Sequence, residues 1–140
     1  MQLDLVTLDG IKARNDVYEV LLPTSIGMIA VFPGHMPLVT LIDNGIISIR
    51  YKKSDGDDQM DHFATYGGIA EVSGARIKVL VDEADTADDI IAEEAKAAME
   101  RAEGLRANAK NQVDLDKAKA EIDRHAVRLK VAGLRRRHRG

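Results

Sequence analysis

The sequence predicts an α+β fold, in which an N-terminal antiparallel β-sandwich is followed by a C-terminal antiparallel two-helix hairpin. Before Asp85, short stretches of alternating apolar and polar residues are separated by glycine-containing turns. After Asp85, proline is absent and alanine is the commonest residue. This change of period divides the 140 residues into a β-sandwich domain, residues 1–84, and a helical hairpin domain, residues 85–140.

Alternation with a period of two predicts the strands. In GIISIRY, residues 45–51, Ile47 and Ile49 face one side and Ser48 and Arg50 face the other. Strands are predicted over residues 2–8, 11–14, 17–22, 26–32, 45–51, 59–66, 68–72 and 75–82. Turns are predicted at Asp9-Gly10, Pro33-Gly34, Asn44-Gly45, Asp55-Gly56, Gly67-Gly68 and Ser73-Gly74.

Capping residues and an apolar seam predict the two helices. Thr86, with Asp89 three residues later, has the pattern of a capping box, so a first helix is predicted over residues 87–109. Asp114 is the predicted N-cap of a second helix. A seam of mainly apolar residues, half of them alanine, recurs every three or four positions, and it consists of Ile91, Ala95, Ala98, Ala102, Leu105 and Ala109 in the first helix and Leu115, Ala118, Ile122, His125, Leu129 and Ala132 in the second. Because alanine buries little area, the helix pair contributes only a few kcal/mol and is expected to need another surface.

Charge is unevenly distributed along a chain whose net charge is −3. Residues 82–95 contain seven acids and no base, and residues 124–140 contain seven lysines or arginines and no acid. Antiparallel folding would place the acidic start of the first helix beside the basic end of the second. Nucleic acid is not an expected partner, because no aromatic residues are interleaved with the basic ones and the rest of the chain is acidic.

Composition removes several functional classes. There is no cysteine, and therefore no disulfide, thiolate zinc site or cysteine nucleophile. No apolar run approaches the ~18 residues of a membrane span. No pattern of nucleophile, base and orienting residue occurs, and no phosphate-binding loop. We therefore expect no catalytic residue, no metal and no cofactor. The N-terminus has no signal or transit pattern, which favours a bacterial source.

Three segments resemble one protein family. FPGHMPLVTLIDNGIISI, residues 32–49, closely resembles the signature segment of the epsilon subunit of bacterial and chloroplast F-type ATP synthases, where Pro-Gly-(or Asn-)His-x-Pro-Leu precedes a glycine-initiated strand. YGGIAEVSGARIKVLVDEA, residues 66–84, is similar to that family's Gly-Gly-x-x-x-Val segment. EEAKAAMERAE, residues 93–103, is similar to its first C-terminal helix. The resemblance covers nearly the whole chain in the same order.

The resemblance implies a ten-stranded sandwich and two helices on the central stalk of the synthase. The family's subunit performs no chemistry itself. It helps attach the gamma subunit to the ring of c subunits, so that proton flow is coupled to ATP synthesis, and in many members its helices restrain ATP hydrolysis. The implied partners are gamma, the c ring and, when the helices extend, the alpha/beta catalytic head. Membrane association would occur only through the complex, on the cytoplasmic face of the bacterial inner membrane.

The resemblance also implies two sets of contact residues. The corner at Pro33-Gly34 suits a type II turn and would present residues to the c ring and gamma, namely Met28, Ile29, Val31, Phe32 and His35. Many members carry an acid where this chain has Met28. The alternatives are that the corner is only a turn and that His35 is a structural histidine. The basic residues that would meet the catalytic head are Arg124, Arg128, Lys130, Arg135, Arg136 and Arg137. The alternative for these is a solvated tail.

Ligand binding was also considered. Some relatives bind ATP through an Ile-Asp-x-x-Arg-Ala motif, and here Ile91 stands at the aspartate and Glu94 at the arginine. Because Glu94 would repel phosphate, no useful ATP binding is expected. The alternative function is a free β-sandwich module that binds a small ligand. With no tryptophan and only five Phe or Tyr residues, the chain has little aromatic surface for such a site.

Overall fold

The computed structural model describes residues 1–134, which form eight strands and two α-helices. The strands are β1 (Gln2–Thr7), β2 (Gly10–Asp16), β3 (Glu19–Thr24), β4 (Gly27–Val31), β5 (Leu38–Arg50), β6 (Asp61–Ser73), β7 (Arg76–Val81) and β8 (Ala84–Asp85). The helices are α1 (Ala92–Ala107) and α2 (Gln112–Gly133). Single 3₁₀ turns cover Asp57–Gln59 and Ala87–Asp89.

The strands hydrogen-bond in the order β2-β1-β7-β6-β5-β3-β4, with β8 paired to β6. The long strands β5 and β6 belong to both halves of the sandwich. Residues 38–42 of β5 pair with residues 68–72 of β6 beside β7, whereas residues 48–50 of β5 pair with β3. Side chains from both halves form one core, whose fully buried members include Leu3, Leu5, Leu22, Ile47, Ile49 and Ile77. The predicted sandwich is confirmed.

One strand pair departs from the antiparallel prediction, because β1 and β7 are parallel. A tight turn joins β1 to β2, so the free edge of β1 accepts a distant strand, and the β6–β7 hairpin fixes the direction of that strand. The eight strands are also fewer than the ten that the family resemblance implies. The difference arises because β5 and β6 are each 13 residues long and run through positions where the sequence predicted interruptions.

Two predicted turns are wrong, because Asn44-Gly45 lies within β5 and Gly67-Gly68 lies within β6. These glycines serve close packing instead. A Cβ atom on Gly68, whose φ is +157°, would collide with the carbonyl oxygen of Leu80 in β7. A Cβ atom on Gly45 would lie 2.8 Å from the Cβ of Pro23. Glycine therefore allows neighbouring backbone and side chains to approach these strands.

The predicted capping box exists, but it closes a 3₁₀ turn rather than opening α1. The Thr86 hydroxyl accepts the Asp89 amide at 3.4 Å, and the Asp89 carboxylate accepts the Thr86 amide at 3.0 Å, which lowers the pKa of Asp89. The chain then extends through Ile90, which is buried against the sandwich, and α1 begins at Ala92 instead of residue 87. The N-cap of α2 is Asn111, which accepts the Asp114 amide at 2.8 Å, rather than Asp114.

The helical hairpin lies docked on the sandwich. A second apolar cluster joins Ala64 of β6 to Ile90, Ala95 and Val131, with Ile46, Tyr66, Val127 and Leu129 packed around it. Of the predicted seam, Ala95, Ala102 and Ala118 are buried, whereas Ile91 and Leu105 are exposed. The sandwich supplies the additional surface that the alanine-rich seam requires. The division into residues 1–84 and 85–140 as separate domains stays a prediction.

Candidate functional site

A rigid corner follows β4 at Pro33-Gly34. The His35 amide donates to the Phe32 carbonyl at 3.1 Å, and Gly34 has φ +85°, as the predicted type II turn requires. Nδ1 of His35 lies 2.7 Å from the Met36 carbonyl oxygen. The Phe32 ring packs edge-on against Tyr18, with ring centroids 5.5 Å apart. Backbone, histidine and aromatic contacts together fix the shape of this corner.

The five residues predicted to meet a partner do not share one surface. Met28 is 56% exposed and Phe32 is 40% exposed, so both are accessible. Ile29 and His35 are half-buried, and Ile29 packs against the core. Val31 is fully buried and pairs with Val20, so the described structure does not present it at the surface, and a partner contact at this residue stays a prediction. Its side chain points into the sandwich because successive strand residues face opposite sides.

A row of apolar side chains, four of them exposed and Val6 half-buried, crosses five strands and was not anticipated from the sequence. We call it the outer apolar row, and it consists of Leu41, Ile69, Leu80, Val6 and Ile11. Each member is the register partner of the next, across β5, β6, β7, β1 and β2. Leu41 is 74% exposed and Ile11 is 52% exposed. Contiguous exposed apolar surfaces are typical of contacts with proteins, membranes or ligands.

The sequence did contain a signal for this row. Ile69 and Leu80 occupy the strand faces that carry the charged residues Glu71 and Lys78, which are paired across β6 and β7. An apolar residue on the polar face of an alternating strand is out of pattern. Strand alignment was still needed, because only the register places these single residues side by side.

Two ion pairs join α2 to the end of the sheet. Nη2 of Arg124 lies 2.6 Å from Oε2 of Glu83, and Nη1 of Arg128 lies 2.6 Å from Oδ2 of Asp85. We call these two pairs the latch. The side chains of Arg128 and Asp85 are each 21% exposed, so this pair is partly shielded from water. Partly shielded, charge-assisted hydrogen bonds are stronger than surface ion pairs.

Tyr66 lies within the latch. The guanidinium carbon of Arg124 sits 4.6 Å from the centroid of the Tyr66 ring, which is a cation–π contact. The Tyr66 hydroxyl lies 3.5 Å from Oδ2 of Asp85. Burial raises the pKa of Tyr66 to about 12, so the hydroxyl stays protonated and donates toward the carboxylate. Neither the acidic partners nor Tyr66 was singled out from the sequence.

The six predicted regulatory residues differ in their surroundings. Arg124 and Arg128 are held in the latch, so neither is free to meet a partner while the hairpin is docked. Lys130 is exposed on the last turns of α2 and forms no ion pair with any residue between 1 and 134. Arg135, Arg136 and Arg137 lie outside the described residues.

Two further features concern metal binding and membrane insertion. Within residues 1–134, no group of three histidine, aspartate or glutamate side chains is arranged to hold a metal ion. Neither helix in that range is long and apolar enough to cross a membrane.

Comparisons with known proteins agree on one family. Residues 1–87 match the model of the ATP synthase delta/epsilon chain β-sandwich domain. The ATP synthase epsilon chain of Staphylococcus aureus strain JH9 is 32% identical over 136 residues, which cover 96% of this chain and 98% of the relative.

Two solved structures share the fold. A chain of the Euglena gracilis mitochondrial ATP synthase, solved as OSCP/F1/c-ring in rotational state 1, has a TM-score of 0.79 at 20% identity, covering 93% of this chain and 79% of that one. A chain of the Tetrahymena thermophila mitochondrial ATP synthase central stalk and c-ring has a TM-score of 0.61 at 14% identity, covering 94% and 96%.

Proposed function

Because this chain belongs to the ATP synthase epsilon-chain family, we propose that it is a non-catalytic central-stalk subunit of a proton-translocating F-type ATP synthase. In this role it attaches gamma to the c ring, and rotation driven by protons reaches the catalytic head through that attachment. It associates with the membrane only through the complex, on the cytoplasmic face of the bacterial inner membrane.

The outer apolar row is the observation that carries the attachment role. Adjacent strands lie about 4.8 Å apart, so a row across five strands is roughly 19 Å long. One face of an α-helix of about 13 residues has the same length. Charged residues such as Glu71 and Lys78 flank the row on the same sheet face, and this arrangement suits an apolar contact with a polar rim. We assign this surface to gamma.

The corner at Phe32 is assigned to the c ring. Met28 and Phe32 expose apolar surface there, while the type II turn and the packing against Tyr18 hold the corner in one shape. A preorganised contact loses little conformational entropy on binding. It also deforms little under load, which is what torque transfer requires.

The latch supports a regulatory role for the hairpin. When the latch opens, Arg124 and Arg128 exchange Glu83 and Asp85 for acidic groups on the alpha/beta head, and Lys130 and Arg135–Arg137 add to the same charge. The extended hairpin then restrains ATP hydrolysis. Moving the hairpin from mostly docked to mostly extended takes about 5 kcal/mol of differential binding. Several desolvated arginine–carboxylate contacts are of that order.

Site-specific photocrosslinking in the assembled synthase tests both contacts. A benzophenone side chain at Leu80 is expected to form an adduct with gamma, and one at Phe32 an adduct with subunit c. The same group at Lys53, in the exposed loop at the far end of β5, is the matched control and should give neither adduct. Absence of any synthase adduct from both Leu80 and Phe32 would overturn the proposal.

A further inference from the structure

A cavity of about 500 Å³ lies between the sandwich and the last turns of α2. Its strand side includes Pro23, Met28 and Ile46, and its helix side includes Val127, Lys130 and Leu134. None of the four residues of the latch lines the cavity. The volume is within the range of small-molecule sites. The space is open to solvent on one side, and both walls are needed to form it, so it exists only while the hairpin is docked.

The cavity has apolar walls and a few polar groups in defined places. Ser48 Oγ lies 2.7 Å from Nδ1 of His62 on the strand side, and the Asn44 side chain also lines the space. Burial lowers the pKa of His62, so this ring is neutral at pH 7 and adds no charge. Lys130 is the cation on the helix side. No acidic side chain is among the described residues that line the cavity.

We propose that this cavity binds a medium-chain fatty acid, with the alkyl chain between Met28, Ile46 and Val127 and the carboxylate at Lys130. Charge complementarity selects an acid over an alcohol, since Lys130 has no partner within residues 1–134 and the other polar groups are neutral hydrogen-bonding groups. The volume fits one short chain with one head group and excludes a two-chain phospholipid. The inference goes beyond the proposed function, because binding requires only residues of the isolated chain.

A ligand that contacts both walls stabilises the docked hairpin. Binding to the docked state alone reduces the open population by a factor of 1 + [L]/Kd. At a ligand concentration about ten times Kd, opening of α2 therefore becomes about elevenfold rarer. The fatty acid therefore lowers the population of the open hairpin, and it does so from a site separate from the latch.

The test uses the full chain, octanoate and, as the uncharged probe, 1-octanol. NMR titration at pH 8 should show saturable shifts of the Ile46, Val127 and Leu134 methyl signals with octanoate, and slower amide hydrogen exchange in α2. Lys130→Met should weaken octanoate binding about tenfold and leave octanol binding unchanged. Lys96→Met, which removes an exposed lysine of α1 that does not line the cavity, is the matched control and should bind octanoate normally.

Any of four results would overturn the proposal. The first three are no saturable methyl shift at millimolar octanoate, equal weakening by the Lys130 and Lys96 variants, and octanoate binding that leaves α2 exchange unchanged. Tighter binding of octanol than of octanoate to the unmodified chain would also refute it, because it would assign the cavity to a neutral ligand.

Discussion

Arg128 of α2 and Asp85 at the end of the sheet are joined by a 2.6 Å ion pair between residues 43 positions apart in the sequence. The pair fastens the hairpin to the sandwich near the point where the chain leaves the sheet. Arg124 and Glu83 repeat the arrangement one helical turn earlier. The docked hairpin is therefore held by specific charge pairs in addition to the small apolar cluster around Val131.

Neutralising the acidic side of the latch should release α2. In Asp85→Asn, Arg128 loses a partly shielded carboxylate, and we expect a cost of about 1.4 kcal/mol, or tenfold faster amide exchange throughout α2. Hydrogen–deuterium exchange with mass spectrometry measures this directly. Asp82→Asn removes a neighbouring exposed acid that has no ion pair within residues 1–134 and should leave exchange unchanged. Equal exchange in the two variants would show that the Asp85 ion pair does not hold α2 on the sandwich.

Close packing at Gly68 predicts a large loss of stability on adding one methyl group. In Gly68→Ala the new Cβ meets the backbone of β7, which cannot move without breaking the β6–β7 pairing, so we expect a loss of about 3 kcal/mol or more. Gly74→Ala is the matched control, since Gly74 also has positive φ, +60°, but open space around it. Its expected loss is about 1 kcal/mol. Urea unfolding measures the free energy of unfolding of both variants, and similar losses in the two would contradict the packing explanation.

Lowering the pH should reduce the free energy of unfolding because of His62. Burial lowers its pKa in the folded state, while the Asp61 and Asp57 carboxylates oppose the shift and Lys130 of α2 lines the same cavity. The unfolded chain, with a histidine pKa near 6.5, therefore binds more protons below that pH, and stability falls as the pH drops through about 6.5. The free energy of unfolding measured between pH 8 and pH 5.5 should fall less in His62→Gln than in the unmodified chain.

His35→Gln is the control for that measurement, because it changes a histidine of the exposed corner. It should retain the full pH dependence of the unmodified chain. If His62→Gln and the unmodified chain lose the same free energy on acidification, burial of His62 is not the cause.

A charge in the outer apolar row should weaken attachment without unfolding the protein. Leu41→Asp changes a side chain that is 74% exposed, so the free energy of unfolding should change by no more than about 0.5 kcal/mol. Binding to gamma, measured by biolayer interferometry, should weaken at least about tenfold, because the charge would be buried against an apolar partner. Leu105→Asp, an equally drastic change on the hairpin, should bind normally. Normal binding by Leu41→Asp would remove the row from the interface.

The sequence predicted those features that local chemistry determines. The type II turn at Pro33-Gly34 and the Thr86–Asp89 box form from neighbouring residues, and both are present. The turn predicted at Gly68 was wrong, because in the sequence a glycine that permits close approach of β7 looks the same as a glycine in a turn. The start of α1 was misplaced since burial of Ile90 against Ala64, a long-range contact, overrides the capping signal.

The partner surfaces were less predictable for the same reason. The outer apolar row depends on the register of five strands, and the acidic partners of Arg124 and Arg128 depend on where α2 docks. Charge segregation did predict that acidic and basic segments would meet. It could not identify the pairs, because many acids lie between residues 82 and 95.

ATP hydrolysis by the reconstituted synthase, compared for three forms of this subunit, tests the latch account most directly. Glu83→Gln with Asp85→Asn opens the latch and keeps both arginines, so hydrolysis should be slower than with the unmodified subunit. Arg124→Gln with Arg128→Gln opens the latch but removes two of the six basic residues assigned to the catalytic head, so hydrolysis should be faster than with the Glu83 and Asp85 variant. Hydrolysis at the unmodified rate, or faster, with the Glu83 and Asp85 variant would contradict the account.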